Sequence, residues 1–155
     1  MGIKSFQGRR AEPVKATTAP ICVSDYMSTD LITFRKDQPV FEVMELLHKN
    51  KISGGCVVDD EGMLLGVISE GDCVKHISDS RYYNMPMENH TVGDRMTCDV
   101  VTIDPDMNVL DAAKKFIEHR FRRFPIVREG KLIGQLSQSD VLRAAINLKG
   151  QNWEF

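Results

Sequence analysis

The chain has 155 residues, room for one ordinary domain, and at this length folding buries roughly 70% of the surface the unfolded chain exposes, so no metal or disulfide is needed to hold it. Its 42% hydrophobic and 27% charged residues read as globular, and 20 Lys and Arg against 22 Asp and Glu, a net charge of −2, exclude nucleic-acid binding driven by bulk charge. No apolar run reaches the about 20 residues of a transmembrane helix, the first residues lack the apolar stretch of a secretory signal, and Cys22, Cys56, Cys73 and Cys98 form no Cys-x-x-Cys pair, which speaks for reduced thiols in a cytoplasmic protein and against zinc.

Residues 1–20 carry Gly, Arg, Pro and Thr without periodicity and read as a loosely held arm. From there the chain repeats itself. Val23-Ser-Asp-Tyr-Met27 returns sixty-nine positions later as Val92-Gly-Asp-Arg-Met96, and Asp30, Thr33, Asp37, Val40 and Val58 meet Asp99, Thr102, Asp106, Val109 and Val127. One residue near Glu61 has no counterpart. Beyond it Gly62, Leu64, Gly66, Ser69 and Asp72 fall on Gly130, Leu132, Gly134, Ser137 and Asp140.

Both copies predict the same elements in the same order. Leu31–Phe34 and Val100–Ile103 are β-branched or aromatic runs that predict short strands. Asp37 and Asp106 are then candidate helix N-caps. Val40, Val43, Met44 and Leu47, matched by Val109, Ala112, Ala113 and Phe116, follow at helical spacing. Cys56–Val58 and Met63–Ile68 flank Gly62 as a hairpin, as Pro125–Val127 and Lys131–Leu136 flank Gly130. A short helix closes each copy, over 71–77 and 139–146. The expected division is an arm 1–20, a first repeat 21–78, a linker 79–91, a second repeat 92–148 and a tail 149–155, in which Trp153 packs locally.

Two features invite a ligand. Ser69-x-x-Asp72 and Ser137-x-x-Asp140 open a helix after a strand. That spacing is a capping box, in which the Ser oxygen takes a backbone amide and the Asp reaches back. A cap leaves one carboxylate oxygen over. The second feature is His119-Arg-Phe-Arg-Arg-Phe-Pro125. Its arginines suit bidentate phosphate contact; a solvated helix end favoured by the helix dipole is the plainer alternative. An RNA patch is disfavoured, since no aromatic platform surrounds the cluster. His48, His76, His90 and His119 show no metal spacing, and no Gly-x-Ser-x-Gly or P-loop is present, so nothing supports catalysis.

The Val-x-Asp-x-Met starts, the apolar-residue–Val run before each Gly turn, and above all Gly66-Val-Ile-Ser-Glu-Gly-Asp72 and Gly134-Gln-Leu-Ser-Gln-Ser-Asp140 resemble a tandem pair of cystathionine-β-synthase (CBS) domains, a Bateman module, of the stand-alone kind. The resemblance implies an α/β (α+β) fold of two β-α-β-β-α repeats packed with pseudo-twofold symmetry. It implies a regulatory sensor of an adenosyl ligand (AMP, ADP, ATP or S-adenosylmethionine) that signals to an unknown regulated protein, with no required cofactor, no metal, no nucleic acid and no membrane. By the same resemblance Asp72 and Asp140 hold ribose, and Ser69 and Ser137 line the phosphate or ribose side. Arg122 and Arg123, just before Pro125, reach phosphate, and Thr33 and Thr102 face the ligand, although threonine in a strand is equally a matter of β propensity.

The first repeat has Ser53, Gly54 and Cys56 where the second has Arg122, Arg123 and Pro125. The family pattern would join Asp72 to Arg122 and Arg123 in a cleft for a charged phosphate. It would join Asp140 to Ser53 and Gly54 in one for a neutral or cationic tail. A homodimer is expected, because Phe41, Met44, Leu47, Leu110, Phe116 and Ile117 cannot all face one narrow stripe. A ligand-free dimerisation scaffold is the alternative reading.

Overall fold

The structure is a computed structural model. It describes residues 21–84 and 90–149; the arm over 1–20, most of the tail with Trp153, and part of the linker lie outside the described residues. In chain order the elements are a 3₁₀ turn Val23–Asp25, β1 Thr33–Phe34, α1 Val40–Asn50, β2 Gly54–Val58, β3 Leu64–Ser69, α2 Glu70–Tyr82, α3 Val92–Arg95, α4 Val109–His119, β4 Arg123–Arg128, β5 Lys131–Ser137 and α5 Gln138–Asn147.

The chain divides into two compact units that cut across the two repeats. Of the described residues, one contains 21–27, 105–123 and 136–149; the other contains 28–84, 90–104 and 124–135. In the larger unit β1 pairs parallel with β2, Thr33 opposite Cys56, and β2 pairs antiparallel with β3, Gly54 opposite Ser69. The parallel pair needs a crossover, and α1 supplies it. The apolar spacing of α1 buries Val40, Val43 and Leu47, which join Phe34, Val57, Ile68, Cys73 and Val92 in one core. β4 and β5 form a second, two-stranded sheet. The two hairpin turns meet: Leu64 N–H donates to Gly130 O and Leu132 N–H to Gly62 O, both at 3.0 Å. Gly62 and Gly130 sit at φ +84° and +83°, where only glycine is unstrained. In the smaller unit α4 packs against α5, and Val23, Tyr26, Val109, Ala112, Phe116 and Ala144 are buried.

The Val-x-Asp-x-Met segments explain why the units cut across the repeats. Each docks on the body of the other repeat. Val92 N–H donates to Gln38 O and Gly93 N–H to Lys36 O, while Val40 N–H donates to His90 O. The aligned positions make the aligned bonds: Val23 to Met107, Ser24 to Pro105, and Val109 to Ile21. A two-residue bridge completes each dock, Val67 with Thr97 and Ser28 with Gln135. Within the motif the valine is fully buried in both copies. The aspartate closes the local turn, with Asp25 Oδ2 accepting from Cys22 N–H at 3.1 Å and Asp94 Oδ2 from Thr91 N–H at 3.0 Å.

Several expected boundaries move. The caps of α1 and α4 are Pro39 and Asn108, not Asp37 and Asp106. The aspartates stand too early to reach the first turn, whereas Asn108 Oδ1 accepts from Leu110 N–H at 2.8 Å. The first strands are shorter than predicted: β1 keeps two residues, and its counterpart shrinks to one parallel bridge, Ile103 with Ile126. The helix after Ser69 runs on to Tyr82, well past the expected end at 77, into what read as linker.

Gly66 tests the docking. A Cβ there would lie 2.5 Å from Thr97 O, a backbone atom held in the Val67–Thr97 bridge. Gly66→Ala is therefore expected to lower stability by about 1–3 kcal/mol, the usual cost of overpacking, as read from the urea midpoint at unchanged slope. An unchanged midpoint would mean the bridge yields freely.

Candidate functional site

Both Ser-x-x-Asp segments form complete capping boxes. At α2, Ser69 Oγ accepts from Asp72 N–H at 3.3 Å, and Asp72 Oδ2 accepts from Ser69 N–H at 2.8 Å and from the Ser69 hydroxyl at 3.1 Å. At α5, Ser137 Oγ accepts from Asp140 N–H at 3.2 Å and Asp140 Oδ2 accepts from Ser137 N–H at 2.8 Å. The caps satisfy helix N-terminal amides that would otherwise be orphaned. In both, Oδ2 does the capping work and Oδ1 is left for something else.

The neighbours of the two aspartates differ. In the larger unit Gly54 stands opposite Ser69, and Ser53 O accepts from Glu70 N–H at 2.8 Å, so Ser53 and Gly54 lie beside the Asp72 cap of their own repeat. Gly54 has a packing reason as well, since a Cβ there would come within 2.9 Å of Ile68 O. Thr33 and Thr102 belong to the same unit and are both exposed, Thr33 in β1 and Thr102 just before the Ile103 bridge. In the smaller unit Arg122 and Arg123 are exposed and make no hydrogen bond or ion pair with a described residue. They share that unit with Ser137 and Asp140. The Gln138 side-chain amide donates to Phe121 O at 3.4 Å, tying the basic stretch to the first residue of α5. Arg122 and Arg123 thus fall in one unit with Asp140, and Ser53 and Gly54 in one unit with Asp72.

Sequence reasoning missed Arg143, which aligns with Lys75 of the first repeat. Its guanidinium lies 3.5 Å from Asp140 Oδ1, and Nη2 donates to Tyr26 O at 2.7 Å. The i,i+3 spacing to Asp140 was the available signal.

Burial pushes the Cys56 thiol up to about 11. Burial first, and then the charges of Asp72 and Glu70, raise that of Cys73. Neither suits a nucleophile, because the thiolate is the reactive form. Among the described residues no group of three or more His, Cys, Asp or Glu is placed to hold a metal ion, and no helix is long and apolar enough to cross a membrane.

With this geometry in hand, the comparisons with known proteins agree on the family. The CBS domain matches residues 23–79 and again 92–147, and the chain belongs to the CBS domain family as a tandem pair. It is similar to the crystal structure of CBSX2 in complex with AMP, at 32% identity and a TM-score of 0.73, covering 84% of this chain and 99% of that one; CBSX2 is a protein of Arabidopsis thaliana. It is also similar to the CBS domain pair of MJ0100 in complex with 5′-methylthioadenosine and S-adenosyl-L-methionine, at 26% identity and a TM-score of 0.68, covering 84% and 100%. Among curated relatives, MJ1225 of Methanocaldococcus jannaschii is 29% identical over 86% of this chain, which spans only 44% of that protein's length.

The thiols give a direct check on the site's surroundings. With a pKa of about 11, the Cys56 thiolate fraction at pH 8 is about 0.1%. Iodoacetamide on the native protein at pH 8 should label exposed Cys98 first and buried Cys56 and Cys73 last, as read by peptide mass spectrometry. Early labelling of Cys56 would show that β2 is open to solvent.

Proposed function

We propose that this protein is a regulatory module that binds an adenosyl ligand (AMP, ADP, ATP or S-adenosylmethionine) and passes the resulting change to a partner protein, without catalysing a reaction of its own. The observation that carries it is the pair of capping boxes at Asp72 and Asp140. Each fixes a carboxylate at a strand-to-helix corner and spends only one of its oxygens on the cap. A carboxylate oxygen already oriented by the fold accepts a ribose hydroxyl at little entropic cost. The likeness to CBS-pair structures holding AMP and S-adenosyl-L-methionine supports the same reading. Ser69 and Ser137 flank the aspartates. Arg122 and Arg123 supply unpaired cations for phosphate, while Thr33, Thr102, Ser53 and Gly54 are the remaining ligand-facing positions.

Titration calorimetry with AMP, ADP, ATP and S-adenosylmethionine tests this. Binding should fall between micromolar and millimolar, about −8 to −4 kcal/mol. Asp72→Ala should weaken it by about 1–3 kcal/mol, the range for a hydrogen bond to a charged group. Arg122→Ala with Arg123→Ala should weaken AMP far more than adenosine and flatten the salt dependence. Binding of every nucleotide at parental strength by Asp72→Ala would sink the ribose assignment. Equal losses for adenosine and AMP would sink the phosphate one.

The helix surfaces support a homodimer as the form that transmits the signal. Leu47 and Phe116 are buried in the chain itself, so part of the expected apolar surplus is internal core. Ile117 is 78% exposed and Phe41 46%, and Val74 on α2 and Leu142 and Ile146 on α5 add exposed apolar side chains that the sequence reading did not single out. A twofold mate is the commonest cover for such surfaces. Light scattering across a dilution series should give the dimer mass at micromolar concentration. A monomer mass throughout, with and without nucleotide, would remove the dimer from the scheme.

A further inference from the structure

Capping leaves Oδ1 over at both aspartates, and the two leftover oxygens are not alike. Among the described residues Asp72 Oδ1 meets no donor and no cation. Asp140 Oδ1 faces the Arg143 guanidinium at 3.5 Å. The aligned residue after Asp72 is Lys75, which is exposed and makes no ion pair with a described residue.

Arg143 is more than a passing surface cation. Its Nη2 donates to Tyr26 O at 2.7 Å, and its guanidinium lies over the Tyr26 ring, 5.5 Å from the centroid. Tyr26 is itself 5% exposed and so does not move aside freely. Nη2, which donates to Tyr26 O, is also the nitrogen nearest Asp140 Oδ1, and a planar fork held by a carbonyl and a ring face loses little further freedom in turning the second N–H of Nη2 toward Asp140. The Asp140 side chain is only 15% exposed, so the pair is less screened than a surface contact. Arg143 remains 54% exposed and shares its unit with the unpaired Arg122 and Arg123.

We propose that Arg143 is the specificity-determining residue at Asp140, holding Oδ1 against neutral and cationic adenosyl ligands and admitting anionic ones. This rests on the reading of Asp140 as a ribose ligand. A neutral diol must compete with a guanidinium for Oδ1. A nucleotide brings its own anion, so the guanidinium trades one oxygen acceptor for another and the carboxylate is released to the ribose. Asp72, with Ser53 and Gly54 beside it and no cation on its free oxygen, makes no such distinction.

The test uses the full chain carrying Asp72→Asn, which leaves Asp140 as the competent aspartate, titrated with adenosine and with AMP. With Arg143 present, AMP should bind at least tenfold more tightly than adenosine. Adding Arg143→Met should strengthen adenosine and weaken AMP, each by about three- to tenfold, the span of one charged contact, so that the preference collapses. Arg143→Lys keeps the charge without the fork and should give an intermediate preference, which also serves if the methionine variant folds poorly. Equal weakening of both ligands by both variants, or an unchanged ratio, would make Arg143 a structural residue and overturn the proposal. If the parent binds AMP but no variant carrying Asp72→Asn binds either ligand, Asp140 is not a ribose site; the proposal falls and the adenosyl reading stands on Asp72. If the parent binds neither ligand, both fall.

Discussion

The exchange of the two Val-x-Asp-x-Met segments is the constraint on which the rest of the molecule depends. Neither repeat completes its own body. Val92 is fully buried in the core built by α1, β2 and β3 of the first repeat, and Val23 is fully buried in the unit that holds α4 of the second, bonded to Met107 O. Each such valine contributes roughly 1.5–3 kcal/mol by burial, and each docking hydrogen bond about 0.5–1.5 kcal/mol net. The contacts also span long stretches of chain, as from Val23 to Met107. The loop closure that joins them must be met before the contacts reward it. Once they form, the start of one repeat is fastened to the end of the other.

Much of the repeat architecture was legible because its signals are local. The apolar spacing of Val40, Val43 and Leu47 marks a helix wherever it occurs, and Gly62 and Gly130 mark turns that need a positive φ. The boundaries were less legible. A capping aspartate and one two residues too early look alike until the helix start is fixed, and nothing in Ser78–Tyr82 breaks a helix at 77. The exchange itself was not legible in the repeat pattern. Its hydrogen bonds join backbone groups, and the residues that the two repeats share fit docking on the same or the opposite body alike, so only positions where the repeats differ can tell the two apart.

The candidate site divides in the same way. Ser-x-x-Asp announced a cap and a spare carboxylate oxygen, and both are present. The pairing of each aspartate with a basic or neutral partner was taken from the family pattern and could not be seen in spacing alone. Arg143 shows why. Its partner Tyr26 is 117 residues away, and only the contact between them reveals that the guanidinium beside Asp140 is held in place, not loose on the surface. Gly54, by contrast, was read as a ligand position, and the structure adds that close approach to Ile68 would already demand glycine there.

Two nearly equivalent segments must still find the correct body, and the aligned residues that differ most, Tyr26 and Arg95, are where the choice is written. Arg95 pairs with Asp79 at 2.8 Å, both largely shielded from solvent, while Tyr26 offers its carbonyl and ring face to Arg143. Exchanged, Arg95 would face Arg143, with Asn147 in the place of Asp79, bringing like charges together and leaving a half-buried guanidinium without its carboxylate. Tyr26 would meet Lys75, whose flexible ammonium stem makes a poorer match for a carbonyl and a ring together. This solution has a consequence for the two capping aspartates. On one body the segment brings the cation, Asp79 takes it up further along α2, and Asp72 Oδ1 stays free. On the other the cation belongs to the body and stands beside Asp140. The inequality of the two aspartates therefore follows from the residues that tell the two segments apart.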